Sequence, residues 1–171
     1  MPRLLLFFCL SFGTAWALLE PAPPSVADSD RFRETLLKAT EIVVYEGLPH
    51  QYWQADKLEE ELKRPDVIKI DNFPFYTPAL KAVNADELKQ LLGSPASIQP
   101  YRGARACGGY HPDYNITWTV GAITYHAQIC LGCHEIVFLT GTTSLKYDMA
   151  DGMVKRFENL RASYTKKRPA R

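Results

Sequence analysis

The sequence has no surplus of charge of either sign. It contains 20 Lys and Arg residues against 19 Asp and Glu residues, and the loss of Arg3 with an N-terminal signal would make the two counts equal. Without a basic surplus, the protein has no general electrostatic attraction for nucleic acid or anionic membranes. We therefore predict no nucleic-acid partner, and the sequence leaves other partners open.

Long hydrophobic runs are missing beyond the N-terminus. The apolar stretch from Leu4 to Phe12 follows Arg3 and is too short to span a bilayer. The segment Ala15-Trp16-Ala17 has the A-x-A pattern of a signal-peptidase site. We predict a signal peptide over 1–17 that is cleaved after Ala17, then a proline-rich leader over 18–28. The mature protein is expected to be secreted or periplasmic, with no transmembrane segment.

Motifs of hydrolysis and phosphoryl transfer are also missing. There is no Ser/His/Asp arrangement, no Gly-rich phosphate loop and no isolated carboxylate pair in apolar surroundings. The acidic run in Asp56–Arg64 (DKLEEELKR) is typical of the solvated face of a short helix and not of an acid/base pair. The sequence therefore favours a non-enzymatic protein.

A β-hairpin within residues 114–130 is the clearest pattern that is present. Apolar and polar side chains alternate from Tyr114 to Val120, as in a half-buried strand. Gly121-Ala122 suits a two-residue type II′ turn, which needs glycine first. That turn predicts four apolar cross-strand pairs on one face: Tyr114 with Ile129, Ile116 with Ala127, Trp118 with Tyr125, and Val120 with Ile123.

Further helices and strands are predicted on both sides of the hairpin. Apolar residues at helical spacing, with capping residues, predict helices over about 30–39, 56–64, 85–92 and from about 150. Runs rich in β-branched residues predict strands over 41–46, 67–70 and 136–139. The connections are predicted as an irregular aromatic crossing over 72–78, a loop over 94–106 and a turn toward the last helix over 140–143.

These elements predict a single α+β domain over 29–165. Its antiparallel sheet is built around the central hairpin and packed by a C-terminal amphipathic helix and short N-terminal helices. The C-terminal helix is expected to cover the hairpin face that carries Trp118 and Tyr125. A basic, disordered tail is predicted over 166–171 (KKRPAR).

Cysteine is scarce, with four in the chain, and Cys9 lies in the predicted signal. The odd number that remains implies a free thiol, an intermolecular bridge, or use by a metal or cofactor. The hairpin should fold the loop before its first strand back toward the segment after its second strand. Five side chains are then expected to be neighbours: Cys107, His111, Cys130, Cys133 and His134.

This cluster has three open interpretations. The first is one disulfide from Cys107 to Cys130 or Cys133, with the third thiol buried and no cofactor, as in many secreted domains. The second is a tetrahedral zinc site formed by Cys107, Cys130 and Cys133 with one histidine, His111 or His134. The third is c-type haem, because Cys130-x-x-Cys133-His134 matches the C-x-x-C-H attachment pattern, with His134 as axial ligand.

Three segments carry a resemblance to a known family: YEGLPH from Tyr45 to His50, CGGYHPDY from Cys107 to Tyr114, and ICLGCHE from Ile129 to Glu135. The chain resembles a family of small secreted bacterial proteins with the pattern YEGLPH … CGG(F/Y)HPDY … IC-x-x-C-x-E. The similarity spans most of the mature chain. It implies secretion and supplies no activity.

The functional prediction is a non-enzymatic binding or structural protein stabilised by the cysteine–histidine cluster. A haem-binding electron-transfer protein and a thiol redox enzyme are the alternatives, and the latter needs a free, activated cysteine. A binding protein should expose an aromatic patch. The candidates for that patch are Tyr52, Trp53, Phe75 and Tyr76.

Two further residues have simple interpretations. His50 is predicted to be a surface or hydrogen-bonded residue rather than a ligand. Asn115-Ile116-Thr117 matches a glycosylation sequon, although it lies within a predicted strand.

Overall fold

A computed structural model describes residues 24–103, 105, 107–141 and 143–169 of the chain. The predicted signal over 1–17 and the first part of the leader lie outside the described residues, and so do residues 170 and 171. The end of the leader belongs to a single 3₁₀ turn, Val26–Ser29. No helix in the described part of the chain is both long enough and apolar enough to cross a membrane.

The described residues form four α-helices and nine β-strands. The helices are α1 (Asp30–Lys38), α2 (Ala55–Glu61), α3 (Ala85–Gly93) and α4 (Met153–Arg161). The strands before the central hairpin are β1 (Ile42–Glu46), β2 (Val67–Ile70), β3 (Phe73–Tyr76), β4 (Leu80–Lys81) and β5 (Ile98–Pro100). The others are β6 (Tyr114–Val120), β7 (Ile123–Cys130), β8 (Glu135–Thr140) and β9 (Thr143–Met149).

Seven strands form one antiparallel sheet in the order β4-β1-β6-β7-β8-β9-β5. The central β6–β7 pair has the predicted register, with Trp118 opposite Tyr125 and Val120 opposite Ile123. Gly121 has a φ of 62°, which a type II′ turn requires at this position. The predicted α+β fold around this hairpin is therefore confirmed.

One face of the sheet carries the hydrophobic core. Helix α1 buries Phe32 and Leu36, which lie one turn apart, and α4 buries Met153, Phe157 and Leu160. These side chains join the buried face of the hairpin and of β8 in one cluster. The core therefore depends on helices from both ends of the domain.

As predicted, the C-terminal helix packs on the apolar face of the hairpin, although Trp118 and Tyr125 themselves lie under another helix. Helix α1 covers them, since the Phe32 ring contacts Tyr125 edge-on at 5.8 Å between centroids, and Trp118 Nε1 donates to Thr35 Oγ1 at 3.1 Å. Helix α4 instead packs where the hairpin begins, beside Tyr114. Both helices carry an apolar stripe, so the sequence alone does not show which of them covers each half of the hairpin.

The opposite face of the sheet is covered by the separate β2–β3 hairpin and by Tyr110. Gln128 Nε2 donates to the Ile70 carbonyl at 3.2 Å, and the Tyr110 hydroxyl donates to the Gln128 carbonyl at 3.0 Å. The Phe73 ring contacts Tyr110 edge-on at 5.4 Å. These contacts hold the loop before β6 against the sheet.

Three connections differ from the prediction. The aromatic crossing contains β3, where Pro74 is tolerated because the sheet has only two strands. The loop over 94–106 contains β5, which adds an edge strand to β9. The turn over 140–143 leads to β9 rather than directly to a helix. Apolar and polar residues alternate along β9 from Ser144 to Met149, although their burial increases along the strand instead of alternating.

Candidate functional site

The turn between β7 and β8 positions two of the cysteines. Cys130 ends β7 and pairs with Glu135, the first residue of β8, so Cys133 lies within the connecting turn. His134 closes this turn with a left-handed φ of 56°. The backbone N–H of Cys133 donates to Cys130 Sγ at 3.2 Å. The Cys-x-x-Cys spacing therefore brings both sulfurs to one end of the sheet.

Cys107 reaches the same turn from the loop before β6 and forms a disulfide with Cys133. Their Cα atoms are 5.4 Å apart, and 26 positions separate them in sequence. Cys130 is free and buried. The prediction of one disulfide with a buried third thiol is confirmed, and the structure selects Cys133 as the partner of Cys107.

The Cys130 thiol is almost shielded from solvent, with 2% of the residue exposed. Its Sγ atom lies within 4.8 Å of both disulfide sulfurs. Burial raises the pKa of this thiol, and backbone N–H groups of His111 and Cys133 oppose that effect only in part. The thiol is therefore protonated at neutral pH, unlike an activated nucleophile.

His111 lies beside this cluster, in ring contact with His50 at 4.7 Å between centroids. It is buried and hydrogen-bonds to the Leu48 carbonyl. Burial lowers the pKa of His111 to about 4, and the positive charge of Arg168 acts in the same direction. His50 Nδ1 accepts hydrogen bonds from the backbone N–H groups of Tyr52 at 3.0 Å and Trp53 at 3.4 Å. Both imidazoles are thus held by backbone groups.

His134 is the one predicted cluster residue that the structure sets apart. It is exposed, and its Nδ1 lies 3.4 Å from the Arg105 guanidinium. It faces a separate concavity next to Met149 and the start of α4. Among the described residues, the only Cys/His/Asp/Glu group with the spacing of metal ligands is Cys107, Cys130 and Cys133.

This arrangement does not fit haem attachment. Two thioether bonds would need the sulfurs of both Cys130 and Cys133, but Cys133 is bonded to Cys107. Cys130 is buried among protein atoms, and His134 lies in another concavity. The literal C-x-x-C-H pattern here forms a strand end and a tight turn.

The loop before β6 is tied to the C-terminal segment through Asp113. Its Oδ2 accepts from the Leu131 N–H at 2.8 Å, and its Oδ1 accepts from Arg168 at 2.9 Å. Arg168 Nε also donates to the Gly47 carbonyl at 2.8 Å. The Lys167 N–H donates to a Glu46 carboxylate oxygen at 2.6 Å. Residues 167 and 168 of the predicted disordered tail are therefore docked.

Gly47 is required by the close approach of two backbone segments. A Cβ atom at this position would lie 2.1 Å from the Pro112 carbonyl oxygen, well inside van der Waals contact. The Gly47 N–H donates to the Asp113 carbonyl at 2.8 Å. The glycine thus lets the YEGLPH segment lie directly against the CGGYHPDY segment.

The three segments of the resemblance meet at one cleft of about 260 Å³. Each contributes lining residues, and the C-terminal segment adds an arginine. The lining residues are His50, Trp53, Cys107, His111, Asp113, Cys130, Gly132 and Arg168. We call this the cysteine cleft. Its walls come from chain positions more than a hundred residues apart.

Trp53 lines the cysteine cleft, and Tyr52 beside it extends the rim toward a neighbouring concavity. Trp53 is 65% exposed and Tyr52 is 67% exposed, and their rings meet edge-on at 4.8 Å between centroids. Trp53 Nε1 donates to the Cys107 carbonyl at 2.9 Å. Phe75 and Tyr76, the other candidates for an exposed aromatic patch, are buried instead. The patch therefore consists of Tyr52 and Trp53.

A second polar cluster lies on neighbouring strands. Glu135 and Asp148 oppose each other across β8 and β9, and both are buried. Lys146 pairs with Glu135 at 2.7 Å, and Arg105 lies 3.6 Å from Asp148. This carboxylate pair was not predicted from the sequence, because Asp148 and Lys146 lie on β9, a strand that was not predicted either. Two cations compensate it, which is typical of a structural ion-pair network.

The glycosylation sequon is not accessible in the folded protein. Asn115 is buried in β6 with 0% exposure, and its Nδ2 donates to Thr117 Oγ1 at 2.8 Å.

Some of the other residues that line the cysteine cleft belong to segments that the sequence had already singled out. His50 and Asp113 lie within the resemblance segments, although neither was predicted to line the site. Arg168 carried no signal, since a lysine- and arginine-rich terminus is ordinary surface. Comparison with known proteins adds nothing here, because no family model, curated protein or solved structure matches the chain.

Proposed function

We propose that this is a non-enzymatic binding protein of a secreted or periplasmic compartment. The Cys107–Cys133 disulfide stabilises its ligand site, which is the cysteine cleft with its aromatic rim. The observation that carries the proposal is the exposure of Tyr52 and Trp53 beside a cleft built from three distant segments. Large aromatic side chains held at the edge of a concavity are typical of ligand contact.

The compartment is supported by the disulfide. Disulfides persist in oxidising environments and are rare where thiols are kept reduced. This one joins the loop before β6 to the β7–β8 turn, and both segments line the cleft. It therefore holds the cleft in shape as well as stabilising the domain.

The chemistry of the cleft indicates the class of ligand. Trp53 offers a flat apolar face, and its indole is oriented by the bond to the Cys107 carbonyl. His50 and His111 lie deeper, and the charge of Arg168 is compensated by Asp113 at 2.9 Å. A small polar organic molecule with one flat apolar face, such as a sugar or an aromatic amino acid, suits these features best.

Trp53 provides a direct test. The oxidised protein is screened by saturation-transfer NMR against monosaccharides and aromatic amino acids, and binding is confirmed by the fluorescence of Trp53. Trp118 is buried in the core and should not respond. We expect at least one class to bind wild type and to lose binding in Trp53→Ala. Val83→Ala removes another exposed apolar side chain and should bind as wild type does.

A thiol redox enzyme is the second candidate, since a free thiol lies within 4.8 Å of both disulfide sulfurs. Alkylation at neutral pH with mass detection separates the two functions. The binding function predicts no rapid modification of native protein, because Cys130 is buried and protonated. Rapid alkylation of Cys130 would favour the enzyme. A screen in which no compound binds, or in which Trp53→Ala changes nothing, would reject the binding function.

A further inference from the structure

The three cysteine sulfurs are spaced like the ligands of a soft metal ion. Cys107, Cys130 and Cys133 place their Sγ atoms within 4.8 Å of one another. In a tetrahedral zinc site, a Zn–S distance of about 2.3 Å puts pairs of sulfurs about 3.8 Å apart. Opening the disulfide would let its two sulfurs separate toward that spacing, with shifts of about 1–2 Å from the present positions.

Reduction of the disulfide is a balanced exchange with an external thiol. Two thiol molecules transfer two electrons and two protons to the Cys107–Cys133 bond, and they leave as one small-molecule disulfide. Cys107 and Cys133 then carry thiols beside that of Cys130. A zinc ion that binds all three as thiolates releases three protons. The oxidised protein offers only the Cys130 thiol and has no such site.

His111 is the side chain best placed to complete the set. It lines the same cleft as Cys107 and Cys130, and one ring nitrogen is engaged with the Leu48 carbonyl. A backbone carbonyl that holds the second nitrogen is the usual support of a metal-binding histidine. The ring has to turn toward the sulfurs, because only the three cysteines meet the spacing in the disulfide form.

His50 is less suitable than His111. Its Nδ1 accepts two backbone N–H groups, so the proton of the neutral ring lies on Nε2. His134 is excluded by position, since it lies in another concavity beside Arg105.

We propose that the reduced protein binds one zinc ion through the thiolates of Cys107, Cys130 and Cys133, with His111 as the fourth ligand. Zinc binding and the disulfide are then mutually exclusive, so the site responds to the thiol state of its surroundings. This proposal goes beyond the ligand-binding function, because it concerns the reduced protein, whereas that function belongs to the oxidised one. Because the ligand screen uses oxidised protein and the zinc test uses reduced protein, a negative result in one test does not affect the interpretation of the other.

The experiment uses protein reduced with a dithiol, freed of reductant without oxygen and titrated with cobalt(II) as the probe. Three thiolates should give strong thiolate-to-cobalt charge-transfer bands at one cobalt per chain, and zinc should displace the cobalt. Oxidised protein should give no such bands. Circular dichroism with and without zinc monitors the fold throughout. If the reduced protein unfolds, recovery of its structure at one zinc per chain supports the site.

Four proteins decide the ligand set: wild type, Cys130→Ala, His111→Ala and His134→Ala. Loss of an outer-shell partner alone costs roughly 10–100-fold in metal affinity, so loss of Cys130 should weaken zinc binding by about 100-fold or more. His111→Ala should also bind at least about tenfold more weakly. His134→Ala is the matched control and should bind as wild type does.

Three results would overturn the proposal. The first is the absence of thiolate-to-cobalt bands in reduced wild type, whether or not it stays folded. The second is zinc affinity in Cys130→Ala equal to that of wild type. The third is a loss in His134→Ala as large as in Cys130→Ala, which would assign the ion to the C-x-x-C-H segment. Equal binding by His111→Ala and wild type would reject His111 as the fourth ligand.

Discussion

Breaking the disulfide should cost a large share of the stability of this domain. Cys107→Ala removes a crosslink between residues 26 positions apart in sequence. The chain-entropy model gives about 3.5 kcal/mol at 25 °C for a loop of this size, because the unfolded chain regains that freedom. A typical domain has only about 5–15 kcal/mol in total. The variant should therefore unfold at a clearly lower urea concentration.

Cys130→Ala is the matched variant. It removes a buried cysteine from the same cluster and leaves the Cys107–Cys133 bond in place. Loss of one buried sulfur should cost roughly 1 kcal/mol, as small core truncations do. The two variants therefore separate the effect of the crosslink from that of simply losing a buried side chain.

The assay is urea unfolding followed by circular dichroism, with and without a thiol reductant. Reductant should lower the stability of wild type and Cys130→Ala by about the same 3.5 kcal/mol, and it should not affect Cys107→Ala. Equal stabilities of Cys107→Ala and oxidised wild type would refute the reasoning. A Cys130→Ala protein that no longer responds to reductant would show that the disulfide uses Cys130 instead.

Three further substitutions test other parts of the fold by urea unfolding. Burial lowers the pKa of His126, so the free energy of unfolding should fall below about pH 6.5, where only the unfolded chain takes up the proton. His126→Asn should show a shallower fall with pH, and an unchanged slope would contradict this. Gly47→Ala should lower the free energy of unfolding by about 1–3 kcal/mol because of its backbone clash. Its control is Gly132→Ala, whose added Cβ meets nothing within 4 Å and which should stay within about 0.5 kcal/mol of wild type. Equal costs would be inconsistent with the clash. Arg168→Ala breaks a largely buried ion pair and should lower the free energy of unfolding by about 1–3 kcal/mol. Its control, Lys63→Ala, breaks an exposed pair and should cost at most about 0.5 kcal/mol. Equal costs in the two variants would mean that the C-terminal segment is not docked.

The elements that the sequence predicted well are those with a complete local signal. The β6–β7 register follows from period-2 alternation and one turn glycine, because a slip by one residue would expose every apolar side chain. Helix α1 was predicted from apolar residues one turn apart. The missed strand β9 also carries a period-2 signal, since Leu145, Tyr147 and Met149 alternate with Ser144, Lys146 and Asp148, so the sequence could have predicted it.

The sequence predicted that the three cysteines lie close together, and it did not predict how they are bonded. The hairpin brings Cys107, Cys130 and Cys133 together, which the sequence implied. Which two of them bond depends on the few ångströms set by the turn after β7. The orientation of His134 depends on a left-handed backbone conformation in that turn, and no pattern in the sequence indicates it.

By itself, the sequence determined the α+β class, the central hairpin and the proximity of the three cysteines, while a disulfide was one of three open interpretations. These properties depend on residue spacing along a single strand, helix or turn. Only the tertiary structure decided the choice of Cys133, the separation of His134, the rim formed by Tyr52 and Trp53, and the docking of Arg168 on Asp113. Those features join positions far apart in the chain, and packing between such positions leaves no periodic signal in any one of them.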